Sequence, residues 1–162
     1  LNKALAQKAS ELSYYRSDFF GTLRKVLENR DDIRVEGDRF VFQSELFFKS
    51  GSAELEERGK KQLDLMAASI KELSKKIPAK VSWVLRVDGH TDNIPIHNDK
   101  YASNWHLSSD RAIAVVGYLI KKGVPANRLV AAGFGSHQPI AKGNTPAARK
   151  KNRRIEFKLT ER

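Results

Sequence analysis

A chain of 162 residues with 40% hydrophobic content is long enough for one compact domain and a modest extension, and too apolar for wholesale disorder. No apolar run approaches the roughly 18–20 residues that a bilayer span requires; the opening does not read as a secretory leader, and with no Met at its start the chain is expected to be an excised or mature piece. The absence of cysteine excludes disulfides, thiolate metal sites and cysteine nucleophiles, while a net charge of +11 favours a polyanionic partner: nucleic acid, an anionic membrane surface or an acidic cell-wall polymer.

Residues 1–30 are predicted to be helical and to stand apart from a domain over 31–162. Leu5, Leu12, Phe19 and Val26 recur at heptad spacing, with Leu1, Ala9 and Leu23 widening the stripe. Such a stripe suits either a helix lying on its own domain or the end of a longer coiled coil, in which case a homodimer follows. "IRVEGDRFVF" alternates on both sides of Gly37-Asp38 and predicts a hairpin. A helix then carries Leu55, Leu63, Met66, Ile70 and Leu73 on one face, with Ser52 as the expected N-cap and Pro78 as the stop. "KVSWVLRVDGH" predicts a strand with one buried face. A polar loop leads to a helix expected over Ser108–Lys122, closed by Gly123. "RLVAAGFG" and "RRIEFKLT" supply two further strands, joined by a loop. Helices packed on one mixed β-sheet, a two-layer α+β sandwich preceded by an N-terminal helix, is the economical arrangement.

The polar loop "GHTDNIPIHNDKYASNWHLSSDRA" holds the candidate binding groups. Asp92 follows a strand, and Arg111 falls in the first turn of the next helix if Ser108 caps it. A carboxylate and a guanidinium held close together match a zwitterion, one taking an ammonium and the other a carboxylate. Asn104, Ser108 and Thr91 can orient them. From spacing alone an ordinary structural ion pair explains the same residues, and that is the commoner fate of surface charges. Asp110 suits the helix macrodipole. His90, His97, His106 and His137 match no helical zinc spacing, so no metal or cofactor is expected, and His90 is expected to hydrogen-bond to a neighbouring loop. Ser108 or Ser109 with His106 is too close in sequence for a triad. "RKKNRR", residues 149–154, is the densest basic run and leads straight into a strand without an aromatic platform.

"FKSGSAEL", "VDGHTDN", "NWHLSSDRA", "GVPANRLVAAGFGSHQPI" and "NRRIEF", in this order, resemble the OmpA-like peptidoglycan-binding domain of OmpA-type outer-membrane proteins, the Pal lipoprotein and MotB-type stator subunits. The resemblance runs from about Val41 to Leu159. It implies a non-catalytic module that binds the diaminopimelate residue of the peptidoglycan stem peptide. It also implies that Asp92 and Arg111 hold the ligand's ammonium and carboxylate, that Asn104, Leu107 and Ser108 shape the pocket, and that Asn152 and Arg153 border or brace it. The long stretch between Asp92 and Asn104, with "SNWHLS", leans towards the MotB type. Lys49 stands where several OmpA-type members carry an Asp. The implied setting is the periplasm, on the cell wall, within a parent protein anchored to the inner membrane beside a MotA-like or other envelope partner.

Two rivals remain at this point. A nucleic-acid-binding module would use Arg149–Arg154 and bind with steep salt dependence. A wall hydrolase would use Asp92 and His90, without a visible second base or metal set.

Overall fold

The computed structural model describes residues 2–26 and 33–162, with residue 2 and residues 4–10 described by their backbone alone. Leu1, Leu5, Ala9 and the boundary placed at residues 30 and 31 therefore lie outside the described side chains or residues. In chain order the elements are α1 (Asn2–Val26), β1 (Ile33–Glu36), β2 (Arg39–Gln43), α2 (Glu57–Lys76), β3 (Trp83–His90), α3 (Asn104–Lys121), β4 (Leu129–Gly133), α4 (Pro146–Asn152) and β5 (Arg154–Glu161). The sheet runs β1-β2-β5-β3-β4. Its pairs are antiparallel except β3 with β4, which α3 joins as a parallel crossover. The expected helices on a mixed sheet are what the chain forms.

Alternation along the strands divides the sheet into unlike faces. Phe40, Phe42, Leu85, Val87, Ile155, Phe157 and Leu159 join one core with Leu63, Met66 and Ile70 of α2 and Ala112, Val115 and Leu119 of α3. Fully burying an aliphatic or aromatic side chain contributes about 1.5–3 kcal/mol, so this layer carries the stability. Across the reverse face, Arg86, Asp88 and His90 stand opposite Lys158, Glu156 and Arg154 of β5. Asp88, His90, Arg154 and Glu156 are all buried there. β3 is thus buried on both faces, not the one its alternation predicts, because it lies inside the sheet and the segment after β4 covers the charged side. That cover includes Phe134, whose ring stacks on His90 at 4.9 Å.

Helix boundaries differ from expectation in instructive ways. α2 begins after Glu56, and the Ser52 hydroxyl accepts from the Glu54 N–H in a local turn instead of capping it. Pro78 follows the extended Ile77 that ends the helix. α3 begins a turn earlier than the apolar pattern indicates: the Ser103 carbonyl accepts from the N–H groups of His106 and Leu107. Its far end closes at Gly123, with φ of 98° and a Val124 N–H to Leu119 O bond. A short helix, α4, stands where the Gly, Pro and Asn content predicts only loop; Thr145 caps it, accepting from Ala148 N–H, and Pro146 follows the cap.

α1 lies on the domain. Leu12, Phe19, Phe20 and Leu23 are buried, Phe20 packs against Phe40 at 5.7 Å, and the Arg16 guanidinium donates to the Leu159 carbonyl. Val26, the next heptad position, is exposed.

Candidate ligand-binding pocket

α3 approaches the sheet closely because two glycines permit it. Gly89 of β3 and Gly133 of β4 are register partners. A Cβ on Gly89 would overlap the Ser108 carbonyl, and one on Gly133 would lie 2.6 Å from the Ser109 nitrogen. The first turns of α3 are thereby held against the C-terminal ends of β3 and β4. Asn104, Leu107 and Arg111, spaced i, i+3 and i+7, fall on one face of the helix and line an open pocket of about 420 Å³ with Thr91, Asp92 and Arg153. Glu45, Phe48, Ile94 and Ile96 form more of its wall.

Arg111 is 4% exposed. Its Nε donates to the Ser52 carbonyl at 2.8 Å and its Nη2 to the Lys49 carbonyl at 3.2 Å, with the guanidinium over the Phe48 ring at 5.2 Å. Burial draws its pKa below the ordinary arginine value, against the opposing charges of Glu45, Tyr101 and Asp92. The group remains cationic, and carbonyl dipoles orient it without neutralising it. The turn "FKSGS" is therefore a scaffold for Arg111, used through its backbone; the identity of Lys49 matters less to this contact than its carbonyl.

Asp92 does not pair with Arg111. Its Oδ1 accepts from the Ile94 N–H at 3.0 Å, and its Oδ2 accepts from Arg153 Nη1 at 2.8 Å. Arg153 in turn holds Glu45 Oε1 at 2.6 Å. Burial acts to lower the Arg153 pKa, but hydrogen bonds to Asp92 and Glu45 outweigh it and raise the value. The structural ion pair anticipated from spacing thus exists with a different partner, because Arg111, in the third turn of α3, is committed to carbonyls on the opposite wall. Thr91 donates to the Asp92 carbonyl, and the Asn104 amide donates to the Ile94 carbonyl at 3.0 Å, fixing the loop around the carboxylate.

Two anticipated residues support the pocket from outside it. Ser108 is fully buried; its hydroxyl donates to the Trp105 carbonyl and accepts from the Gly135 N–H, tying α3 to the segment after β4. The Asn152 Oδ1 accepts from the N–H groups of Ile140 and Ala141, and its Nδ2 donates to the Ala141 carbonyl. Glu45 was not anticipated. It sits in a short 3-10 turn (Ser44–Leu46) between strand and helix, where no periodicity marks it.

His90 and the basic run differ from what their sequence suggests. His90 is 3% exposed and neither ring nitrogen has a hydrogen-bond partner among the described residues. Its Nε2 lies 3.6 Å from Glu156, on the sheet face away from the helices, so it cannot join Asp92 in hydrolysis. Asp88, His90 and Glu156 offer ligand atoms within 4.8 Å of one another. Yet both Asp88 oxygens accept from Arg86, and Glu156 accepts from Arg39 and Arg154. These carboxylates already serve an arginine network whose positive charge opposes a cation. "RKKNRR" is split among three environments: Arg149–Asn152 are helical, Arg153 enters the pocket and Arg154 is buried.

Residues 47–153 match the OmpA family. The chain belongs to the OmpA family. Over 141 residues it is 34% identical to motility protein B of Bacillus subtilis (strain 168), covering 85% of this chain and 51% of that protein. It spans about half the length of the curated relatives it matches. A MotB-like protein from Desulfovibrio vulgaris shares the fold, with a TM-score of 0.76 at 24% identity over 96% of each chain. The periplasmic domain of Helicobacter pylori MotB superposes with a TM-score of 0.66 at 26% identity, over 83% of this chain and 80% of that one. The OmpA-family module is thus of MotB-like architecture.

Proposed function

We propose that this OmpA-family module is a non-catalytic, periplasmic peptidoglycan-binding domain that grips the side-chain end of diaminopimelate in the stem peptide. The observation that carries the reading is the charge arrangement of the pocket: Arg111 oriented by two backbone carbonyls, facing a wall in which Asp92, Arg153 and Glu45 alternate in sign. A ligand carboxylate meets Arg111 through Nη1 and the second hydrogen of Nη2. A ligand ammonium meets Asp92, whose carboxylate lines the pocket with Asn104 and Thr91. Leu107, Phe48, Ile94 and Ile96 receive the methylene stem. Because the guanidinium is positioned before the ligand arrives, little ordering cost attaches to its use. A lysine stem residue ends in an ammonium alone and would leave that buried cation without its carboxylate, which supplies discrimination.

The test is co-sedimentation with purified sacculi. Wild type is expected to pellet with diaminopimelate-type sacculi and far less with lysine-type sacculi. Asp92→Ala, Arg111→Ala and Arg111→Lys are expected to lose at least tenfold in affinity, the cost of removing one hydrogen-bonded charge. Equal pelleting of wild type and variants would sink the reading.

The parent protein is proposed to anchor this module to the inner membrane, with a MotA-like or other envelope partner. The nucleic-acid reading loses its footing because Arg153 and Arg154 do not extend the exposed surface of Lys150 and Lys151.

A further inference from the structure

Trp105 opens α3, one residue from the pocket-lining Asn104, yet it takes no part in the pocket or the core. Its indole is 50% exposed. It is nevertheless built in: the His137 ring stacks on it with centroids 4.7 Å apart and planes 19° from parallel. Gly135 lies beside both rings: a Cβ there would make ordinary van der Waals contact with the imidazole at 3.4 Å and the indole at 3.5 Å. The carbonyl of the same Gly135 accepts from the N–H of Thr91, which lines the pocket. The stacked pair and the pocket therefore flank one segment of backbone. Exposed Ile94 lies on the pocket side of that segment, where it lines the pocket wall.

We propose that the Trp105–His137 stack is a carbohydrate subsite, on which a pyranose ring of the peptidoglycan glycan strand rests while the stem peptide occupies the pocket. The inference depends on the peptidoglycan reading above. One face of the indole is taken by the imidazole, and the exposed remainder is a flat, electron-rich surface on which the weakly positive C–H groups of a sugar ring settle. The stem joins the diamino acid to the sugar through a few residues, each spanning at most about 3.5 Å, so a subsite that adjoins the pocket is within reach. Linking two weak contacts in one ligand raises affinity without a new contact at either.

The two tryptophans make the test direct, since Trp83 is 1% exposed and Trp105 half exposed. The full chain is titrated with a diaminopimelate-containing stem peptide and with the same peptide carrying its disaccharide, following tryptophan fluorescence and heat. The disaccharide form is expected to bind roughly tenfold more tightly, in line with one aromatic stacking contact, and to shift the exposed emission. Trp105→Ala and His137→Ala are expected to lower the disaccharide form to the affinity of the bare peptide, with Trp105→Phe restoring part of the difference. Equal affinity of wild type for both ligands overturns the subsite and leaves the pocket reading standing. Failure of both ligands to bind overturns both. A single-stranded oligonucleotide that shifts the Trp105 emission more strongly than the disaccharide form also overturns it.

Discussion

At the scale of single residues, the most consequential groups are charges held by partners that sequence proximity does not indicate. Arg111 is oriented by carbonyls of residues 49 and 52, and Asp92 by an arginine 61 positions away. Glu156 shows the energetic weight of such pairing. Burial acts to raise its pKa, but His90 and Arg154 beside it hold the value at about 2, against 4.5 ordinarily. The unfolded chain takes up this proton near pH 4.5 while the native carboxylate stays ionised to about pH 2. The contribution is therefore fully present above the unfolded value and is lost as pH falls through that window, roughly 3 kcal/mol in all. Glu156→Gln is expected to flatten this acid limb in denaturation curves taken across the window. At neutral pH it is expected to destabilise by about 3–5 kcal/mol, because Arg154 is left buried without its counter-charge. An unchanged acid limb would show that Glu156 is not the group responsible.

At the scale of elements, the contact between α3 and the strands it joins decides whether a pocket exists. Gly89 and Gly133 admit the helix backbone at Ser108 and Ser109, and Asn104, Leu107 and Arg111 ride on that placement. Gly89→Ala forces the Ser108 carbonyl away from β3, where no flexible side chain can yield. It is expected to cost about 1–3 kcal/mol, as overpacking does, and to weaken sacculus binding while every pocket side chain is retained. Native-like binding at reduced stability would mean that α3 shifts as a body without disturbing the Arg111 geometry. Gly117, on the same helix, has open space around it and serves as the control: Gly117→Ala is expected to be neutral or mildly stabilising through helix propensity.

At the scale of the whole molecule, α1 joins the core from Leu12 onward, the first of the two arrangements its apolar stripe allows. Leu12, Phe19, Phe20 and Leu23 are buried against this chain, and Lys76 of α2 pairs with Asp18 at 3.3 Å. Deleting residues 1–26 exposes apolar surface on α2 and β2. It is expected to lower the urea midpoint markedly, since each of those side chains contributes about 1.5–3 kcal/mol as an upper estimate. The pocket, whose lining includes no residue of α1, is expected to keep its selectivity wherever the shortened domain remains folded. A homodimer through the helix is a proposal, and a sedimentation mass that rises with concentration in the full chain but not in the deletion would establish it.

Composition and local pattern by themselves determined the class of fold, the hairpin at Gly37-Asp38, the apolar face of α2 and the Gly123 stop, because these depend on contacts a few residues apart and on two periodicities. Quoted motifs in order also indicated Asp92, Arg111, Asn104 and Leu107 as neighbours. Only the tertiary structure decided the partners of each: which arginine holds Asp92, that Arg111 rests on carbonyls of the "FKSGS" turn, which loops Ser108 and Asn152 hold, and that Glu45 belongs to the wall. It alone divided "RKKNRR" among helix, pocket and interior, and brought Trp105 onto His137. Those outcomes rest on partners far apart in the chain, and nothing in a one-dimensional pattern records which distant groups a sheet of mixed direction will bring within hydrogen-bonding distance.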